Sequence, residues 1–152
     1  MRTARQLSVS LINKPGRLAD MLGALAKGKV NFVALAVMDS RDRGMVRFVP
    51  EDCQAATEVL EKLNIRFDAA DVLLVDVPNQ NGAFRNICER LAADHLNIDY
   101  AYCAFGAETG AKGGAMAVIR VNDLAKAQKI LADKNGIVKP KKLPVRRPVR
   151  AR

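Results

Sequence analysis

An internal repeat constrains the fold of this chain more than any other feature of its sequence. Residues of the first half coincide with identical or similar residues of the second half at a shift of 66, which becomes 71 after a longer turn. The coincidences at the first shift are Asn13 with Asn79, Gly16 with Gly82, Leu18 with Phe84, Leu25 with Leu91 and Asn31 with Asn97; those at the second are Phe48 with Ile119, Asp52 with Asp123 and Leu60 with Leu131. Self-similarity at a fixed shift indicates that one structural unit of about 65 residues occurs twice.

The hydrophobic periodicity predicts the same order of elements in each half. The elements predicted for the first half are strand 6–12, a helix from Pro15 to Gly28, strands 30–38 and 45–49, a helix opened by residues 50–52 and a short strand 65–69. Those predicted for the second half are strand 72–77, a helix through residues 84–91, strands 96–105 and 115–121, and a helix after Asp123. The closing strand of this half is weak, because the sequence GIVKPKKLP reaches Pro140 almost at once and proline is poorly tolerated inside a sheet. Strand, helix, strand, strand, helix, strand is the order of an α+β unit.

We therefore divide the chain into repeat 1 (residues 1–70), repeat 2 (71–138) and a tail (139–152). A repeat of this size buries only about 60% of its unfolded surface and is marginally stable alone. The edge strands of its sheet also have to be covered or paired. We expect the repeats to pack together, either within one chain or between two chains, so that equivalent loops meet at an interface.

The entry to the first predicted helix has the features of a ligand-binding loop. Pro15 suits the first helical position, Gly16 permits close approach to the backbone, and Asn13 is placed to cap the helix or to stand at its mouth. A helix N-terminus can hold a carboxylate, and the amide oxygen of Asn31 can accept hydrogen bonds from an ammonium group. Asn13 and Asn31 are a helix length apart in one repeat, roughly 18 Å, so one small ligand needs the loop of one repeat and the strand start of another.

The stretch NKPGRLADMLGALAKGKVNFVALAV resembles the first strand, helix and strand of an ACT domain, the amino-acid-sensing module of many biosynthetic enzymes. The resemblance covers about residues 6 to 138, and the layout is similar to small tandem ACT proteins that have no catalytic domain. It implies two ferredoxin-like βαββαβ repeats whose antiparallel sheets pack side by side. It also implies that an amino acid binds between adjoining domains, held by Asn13, by Asn31 and by the Pro15–Gly16 loop through its backbone.

Repeat 2 has part of the same pattern. Asn79, Gly82 and Asn97 match it, whereas Asn81 replaces the proline, so the entry to this helix is looser. Some serine-binding members of the family have a histidine two residues before the loop asparagine; Leu11 and Val77 stand there in this chain, and serine specificity is not implied. The resemblance implies a homodimeric, non-catalytic regulatory protein that responds to a small amino acid by changing its packing or the activity of an enzyme partner.

Two other interpretations stay open. An Asn-Lys-Pro-Gly sequence starts a helix in any protein, and asparagine before a strand is an ordinary turn residue, so the chain can be a purely structural dimerisation module. The net charge of +9 is concentrated in residues 137–152, which contain seven basic and no acidic residues. That proline-containing segment is expected to be extended and disordered; it can also bind nucleic acid or an acidic protein, although it lacks aromatic residues for base stacking.

The other polar and reactive residues indicate no enzyme. His95 is the sole histidine and has no expected catalytic neighbours, and Arg17, Arg47 and Arg85 can either contact an acidic ligand or remain solvated. The glycine-rich segment 106–114 leads into a strand and is a hairpin rather than a phosphate loop. Cys53, Cys88 and Cys103 are expected to be free thiols, the latter two in the core. We expect no metal, cofactor, secretory signal or membrane span, and a cytoplasmic location.

Overall fold

The computed structural model describes residues 1–40, 42–104 and 114–133. The predicted tail 139–152 and most of the glycine-rich segment lie outside these residues. The elements are β1 (Arg2–Ile12), α1 (Arg17–Lys27), β2 (Phe32–Ser40), β3 (Arg43–Pro50), α2 (Cys53–Lys62), β4 (Phe67–Val77), α3 (Ala83–Ala93), β5 (Ile98–Ala104), β6 (Ala115–Val121) and α4 (Leu124–Ala132).

The strands form a single six-stranded antiparallel sheet in the order β2-β3-β1-β4-β6-β5. The α+β class and the ferredoxin-like repeats are confirmed, with the two sheets fused side by side. The prediction of separate strands at 65–69 and 72–77 is wrong, because β4 runs through both without a break. The intervening residues contain no glycine or proline, and they pair with β1 instead of turning.

Strands β1 and β4 pair with each other and join the two repeats. The C-terminal half of β1 pairs with β3 of its own repeat, whereas its N-terminal half pairs with β4 as far as Leu74. The C-terminal half of β4 pairs in the same way with β6. Arg5 lies opposite Asp71 at the centre of this arrangement, and these two residues are themselves related by the shift of 66. Their side chains form an ion pair of 3.0 Å on the pseudo-twofold axis that relates the repeats.

The four helices cover one face of the sheet, where each repeat has its own apolar core. The core of repeat 1 contains Leu7, Val9, Met21, Leu25, Val30, Val46, Phe48, Ala56 and Leu60. The core of repeat 2 contains Leu73, Val75, Val77, Ile87, Leu91, Leu96, Ala117, Ile119, Val121 and Ala127. The helical periodicity of the sequence also places Leu63 on the apolar side of α2, but this residue is 45% exposed because α2 ends one residue before it.

Helix ends follow from local backbone requirements. The side chains of Asp52 and Asp123 cap α2 and α4, each accepting a backbone N–H at 3.0 Å. Gly28 is the C-cap of α1, as predicted, but its φ of −75° is ordinary. The glycine is needed for a different reason: a Cβ atom there would lie 2.6 Å from Cγ2 of Val59 on α2.

The other face of the sheet is enclosed because the sheet curls until its two edge strands, β2 and β5, contact each other. Gln6 of β1 is fully buried there. Its Nε2 donates to the hydroxyl of Tyr100 at 2.5 Å, and its Oε1 accepts from the hydroxyl of Tyr102 at 2.9 Å. In a flat sheet about 14 Å would separate strands β1 and β5, so these bonds join the repeats across the curl.

Arg47 of β3 completes this polar cluster. Its guanidinium carbon lies 3.9 Å from the centre of the Tyr100 ring, and its Nη1 contacts the sulfur of Met38 at 3.7 Å. Its Nε atom is buried without a hydrogen-bond partner among the described residues. Burial raises the pKa of Tyr102, an effect that the neighbouring Tyr100 reinforces and the Arg47 cation opposes.

Candidate functional site

Each repeat has a left-handed glycine immediately before its first helix. Gly16 has a φ of 87° and Gly82 a φ of 82°. A φ in this range suits glycine and strains other residues. A Cβ atom on either glycine would meet nothing within 4 Å, so both loops present open backbone to an approaching group.

Two predictions for the helix entry are wrong: Pro15 does not occupy the first helical position, and Asn13 does not cap the helix. Helix α1 begins at Arg17, so Pro15 precedes the helix and Gly16 occupies the cap position. No side chain caps α1; the N–H of Arg17 instead bonds the carbonyl of Lys14 at 3.3 Å. This turn fixes the entry without a side-chain cap.

The loop of repeat 2 has the same hydrogen bonds. The Ala83 N–H bonds the Gln80 carbonyl at 3.1 Å, and the Gln80 N–H bonds the Pro78 carbonyl at 2.8 Å. These are the counterparts, at a shift of 66, of the bonds from Arg17 to Lys14 and from Lys14 to Ile12. Asn79 is exposed in this turn. The replacement of proline by Asn81 therefore leaves the backbone unchanged.

The strand asparagines lie at equivalent turns but make different side-chain bonds. Asn31 donates from Nδ2 to Oε2 of Glu51 at 3.1 Å, and its carbonyl accepts the Glu51 N–H at 3.0 Å. Asn97 donates from Nδ2 to Oδ1 of Asp99 at 2.9 Å, while its carbonyl accepts the Asn122 N–H at 3.3 Å. The side-chain bond of Asn31 to Glu51 uses the amide nitrogen, so its amide oxygen can still accept a hydrogen bond.

One chain does not bring Asn13 together with either strand asparagine. Asn13 follows Ile12, which pairs with the first residue of β3, whereas Asn31 precedes Phe32, which pairs with the last. The length of β3 therefore separates them, roughly 23 Å at about 3.3 Å per residue. Across the sheet, Asn97 lies opposite the part of β1 that contains Arg5. Asn13 is eight residues further along the chain than Arg5, so roughly 26 Å along the strand direction separates Asn13 from Asn97.

A pocket of about 650 Å³ lies beside the loop of repeat 1. The C-terminal end of β1, the start of β3, the first residue of α1 and residues 64–68 line it; we call it the repeat 1 pocket. Three of its lining side chains are arginines, at positions 17, 43 and 66, and Asp68 is the one carboxylate among them. Asn13, Pro15 and Gly16 lie next to this wall rather than in it.

A second pocket, of about 420 Å³, lies at the equivalent loop of repeat 2. Its wall includes Asp76, Pro78, Gln80 and Arg90, and we call it the repeat 2 pocket. The guanidinium of Arg90 donates to the carbonyls of Ile130 and Asp133. This cation is therefore already bonded within the fold, whereas the one carboxylate of the wall, Asp76, pairs with the N-terminal ammonium of Met1 at 3.7 Å.

Sequence reasoning identified the loops but missed Arg43, Arg66 and Asp68. These residues are polar positions in or next to strands β3 and β4, where alternation predicts solvent exposure and nothing more. Only the strand register reveals that the start of β3 and the start of β4 converge on the end of β1. No periodic signal in the sequence carries that information.

The remaining candidates stay outside any reactive arrangement. His95 is exposed, two residues past the end of α3, with a φ of 58°. The three cysteines are free; Cys103 is exposed, contrary to the core position predicted for it, because it lies on the outer edge of β5. Burial raises the thiol pKa of both Cys53 and Cys88. The described residues contain no cluster suited to a metal ion and no helix long and apolar enough to cross a membrane.

Comparison with known proteins gives consistent matches over most of the chain. A family model described as an ACT domain pair matches residues 2–144. The crystal structure of a protein from Bacteroides thetaiotaomicron is 31% identical, with a TM-score of 0.78 over 87% of this chain and 88% of that one. No curated protein matches.

Two further solved structures share the fold at lower identity. The ligand-free regulatory subunit of aspartate kinase from Thermus thermophilus is 17% identical, with a TM-score of 0.62 over 87% of this chain and 94% of its own. The corresponding subunit from Thermus flavus is 18% identical, with a TM-score of 0.60 over 86% and 88%. At these identities the likeness concerns the fold alone.

Proposed function

The chain belongs to the ACT domain family, as a pair of such domains, and on that premise we propose that it is a non-catalytic regulatory protein that binds a small amino acid. The observation that carries the proposal is the repeated loop, in which a left-handed glycine opens the backbone at the start of α1 and of α3. Unpaired N–H groups and a partial positive charge at a helix N-terminus suit a carboxylate. A pocket lies next to each loop.

We further propose that two copies of the chain complete the ligand site. Within one chain the sheet separates Asn13 from Asn31 and from Asn97 by more than 20 Å, as the strand register shows, and a zwitterion spans only a few ångströms. In a homodimer the Pro15–Gly16 loop of one copy faces Asn31 of the other. Asn79, Gly82 and Asn97 form the corresponding second set.

In this proposal the ligand acts by stabilising one packing of the domains. A ligand that binds only the paired state contributes about RT ln(1 + [L]/Kd), or about 2.7 kcal/mol at a hundredfold excess over Kd. We propose that the partner is a cytoplasmic enzyme whose activity responds to this change in packing. The regulatory subunits of aspartate kinase, which have the same fold, carry that role in their names.

The direct test is a thermal-shift screen of the full chain against the common amino acids at millimolar concentration. We expect a concentration-dependent rise in Tm of roughly 5–10 °C at saturation for at least one of them. Absence of a rise with every amino acid would leave the structural dimerisation module as the better interpretation.

The strand asparagines allow a matched comparison in the same assay. Asn31→Ala should abolish the shift while leaving the Tm of the free protein nearly unchanged, because its bond to Glu51 is between exposed side chains. Asn97→Ala is the counterpart in repeat 2 and reports whether that site also binds. A full shift in Asn31→Ala would place the ligand elsewhere.

A further inference from the structure

The repeat 1 pocket has an excess of positive charge that no ion pair among the described residues neutralises. Arg17, Arg43 and Arg66 line it, against the single carboxylate of Asp68. The ion pairs found among the described residues involve none of these four side chains. Three cations at one concave site repel one another, so an anion that enters the pocket relieves an unfavourable interaction of the free protein.

One of these arginines is held in place for binding. The Nε of Arg43 donates to Oγ of Ser10 at 2.7 Å, and its Nη2 donates to the Ser10 carbonyl at 3.0 Å. Both acceptors are neutral, so the bonds orient the guanidinium without cancelling its charge. An arginine oriented in advance loses less conformational entropy when it binds a carboxylate.

The excess positive charge is a property of the repeat 1 pocket and is not shared by the equivalent pocket of repeat 2. The wall of the repeat 2 pocket contains one arginine, one carboxylate and the N-terminal ammonium of Met1. The carboxylate pairs with that ammonium at 3.7 Å, and the arginine is bonded to two backbone carbonyls. Ala83 occupies the position equivalent to Arg17. The left-handed glycine loop is common to both repeats, whereas the arginines are found in one.

We infer that the repeat 1 pocket selects an acidic amino acid, one that has two carboxylates and an ammonium group. This inference rests on the function proposed above and specifies its ligand class. The two carboxylates are bound by Arg17, Arg43 and Arg66, and the ammonium group faces Asp68. A neutral amino acid offers the same pocket one carboxylate and leaves two guanidinium groups unmatched.

The expected preference is large enough to measure. A hydrogen bond to a charged group contributes more than one between neutral groups, so the second carboxylate should tighten binding about tenfold to a hundredfold. L-Aspartate and L-glutamate should therefore bind more tightly than their isosteres L-asparagine and L-glutamine. The preference should shrink as salt concentration rises, because exposed guanidinium groups are screened.

Isothermal titration of the full chain with these four amino acids, and with succinate, tests the inference. Arg17→Gln and Arg66→Gln should each reduce the affinity for the acidic amino acids about tenfold and leave that for the amides nearly unchanged. Both side chains are exposed, so these variants should fold. The matched control is Arg85→Gln, which removes the same charge from an exposed arginine of repeat 2 that lies in neither pocket and should leave all affinities unchanged.

Asp68→Asn separates an amino acid from a plain dicarboxylate. It should weaken L-aspartate binding and leave succinate binding unchanged or stronger. Amides that bind as tightly as the acids, or an equal loss in Arg85→Gln, would overturn the acidic preference while leaving the proposed function intact. Tight binding of succinate with no binding of any amino acid would overturn both.

Discussion

The two repeats have the same backbone at their helix ends and different side chains around it. Gly16 and Gly82 have nearly equal φ values, and Lys29 and His95, which follow at the far ends of α1 and α3, have φ values of 57° and 58° although neither is glycine. Yet an arginine at the entry of α1 corresponds to alanine at the entry of α3. The backbone is therefore determined by the fold, whereas the charge of each pocket is not.

The surfaces by which the repeats meet differ even more. Gln6 and Arg47 of repeat 1 contact the tyrosines of β5. The positions equivalent to Gln6 and Arg47 are Val72 and Val118, which are buried in an apolar cluster that also contains Ala34. One side of the pseudo-twofold axis is thus polar and the other apolar. Because a buried polar group requires a partner, only the polar side restricts how the halves can pair.

The largest expected effect tests whether the repeats unfold as one unit. Leu25 and Leu91 are equivalent core residues, each fully buried, so Leu25→Ala and Leu91→Ala should each cost about 2–5 kcal/mol of unfolding free energy. Both tyrosines of the chain are in repeat 2, on β5. Because β4 is continuous through both repeats, Leu25→Ala should move the tyrosine-fluorescence midpoint in urea as far as the far-UV circular dichroism midpoint. A tyrosine midpoint equal to that of the wild type would mean that the repeats unfold separately.

The next largest effect on stability is expected when the equivalent residues Gln6 and Val72 are each replaced by the other. Gln6→Val leaves the hydroxyls of Tyr100 and Tyr102 without their partner and should cost about 2–3 kcal/mol. Val72→Gln places an amide among apolar side chains and should cost at least as much. The triple variant with Tyr100→Phe and Tyr102→Phe should regain most of the loss in Gln6→Val, measured by urea unfolding. No recovery in the triple variant would show that the network contributes through packing and not through its hydrogen bonds.

The sequence predicts the repeats well because their signals are local. The aspartate caps of α2 and α4 and the stripes containing Leu25 and Leu91 follow from composition and spacing along a few residues. The continuity of β4 is not predictable in that way, because it depends on pairing with β1, more than sixty residues away. The Gln6 cluster and the arginines of the repeat 1 pocket depend on the same long-range register, and their polar residues are typical of a solvated surface in sequence alone.

Replacement of Gly28 should have a smaller effect on stability, and it compares the packing of α1 on α2 with that of α3 on α4. Gly28→Ala should cost about 1–3 kcal/mol, since the new methyl group overlaps the stiff side chain of Val59. The equivalent position in repeat 2 is Asp94, which already has a side chain, and Asp94→Ala should change the stability by less than about 0.5 kcal/mol. Thermal unfolding compares the two variants. Addition of Val59→Ala to Gly28→Ala removes the overlap, so a double variant no less stable than Val59→Ala alone confirms the cause.

The smallest expected effect is a pH dependence that only repeat 2 contributes. Burial raises the pKa of Tyr102 in the folded protein above its value in the unfolded chain, which is about 10. The unfolded state therefore loses this proton first as the pH rises, and the stability decreases above about pH 10. The slope for one proton is at most about 1.4 kcal/mol per pH unit, and we expect less because the hydroxyl is part-exposed and water screens it. The position in repeat 1 that is equivalent to Tyr102 is Ala36, so repeat 1 has no tyrosine that makes the same contribution to the pH dependence of stability. Urea unfolding of the wild type and of Tyr102→Phe between pH 8 and about pH 11 isolates this difference from every pH effect that both proteins share. Equal slopes in the two proteins would mean that the Tyr102 hydroxyl is as well solvated in the folded state as in the unfolded chain, and that the polar contact around Gln6 is open to water.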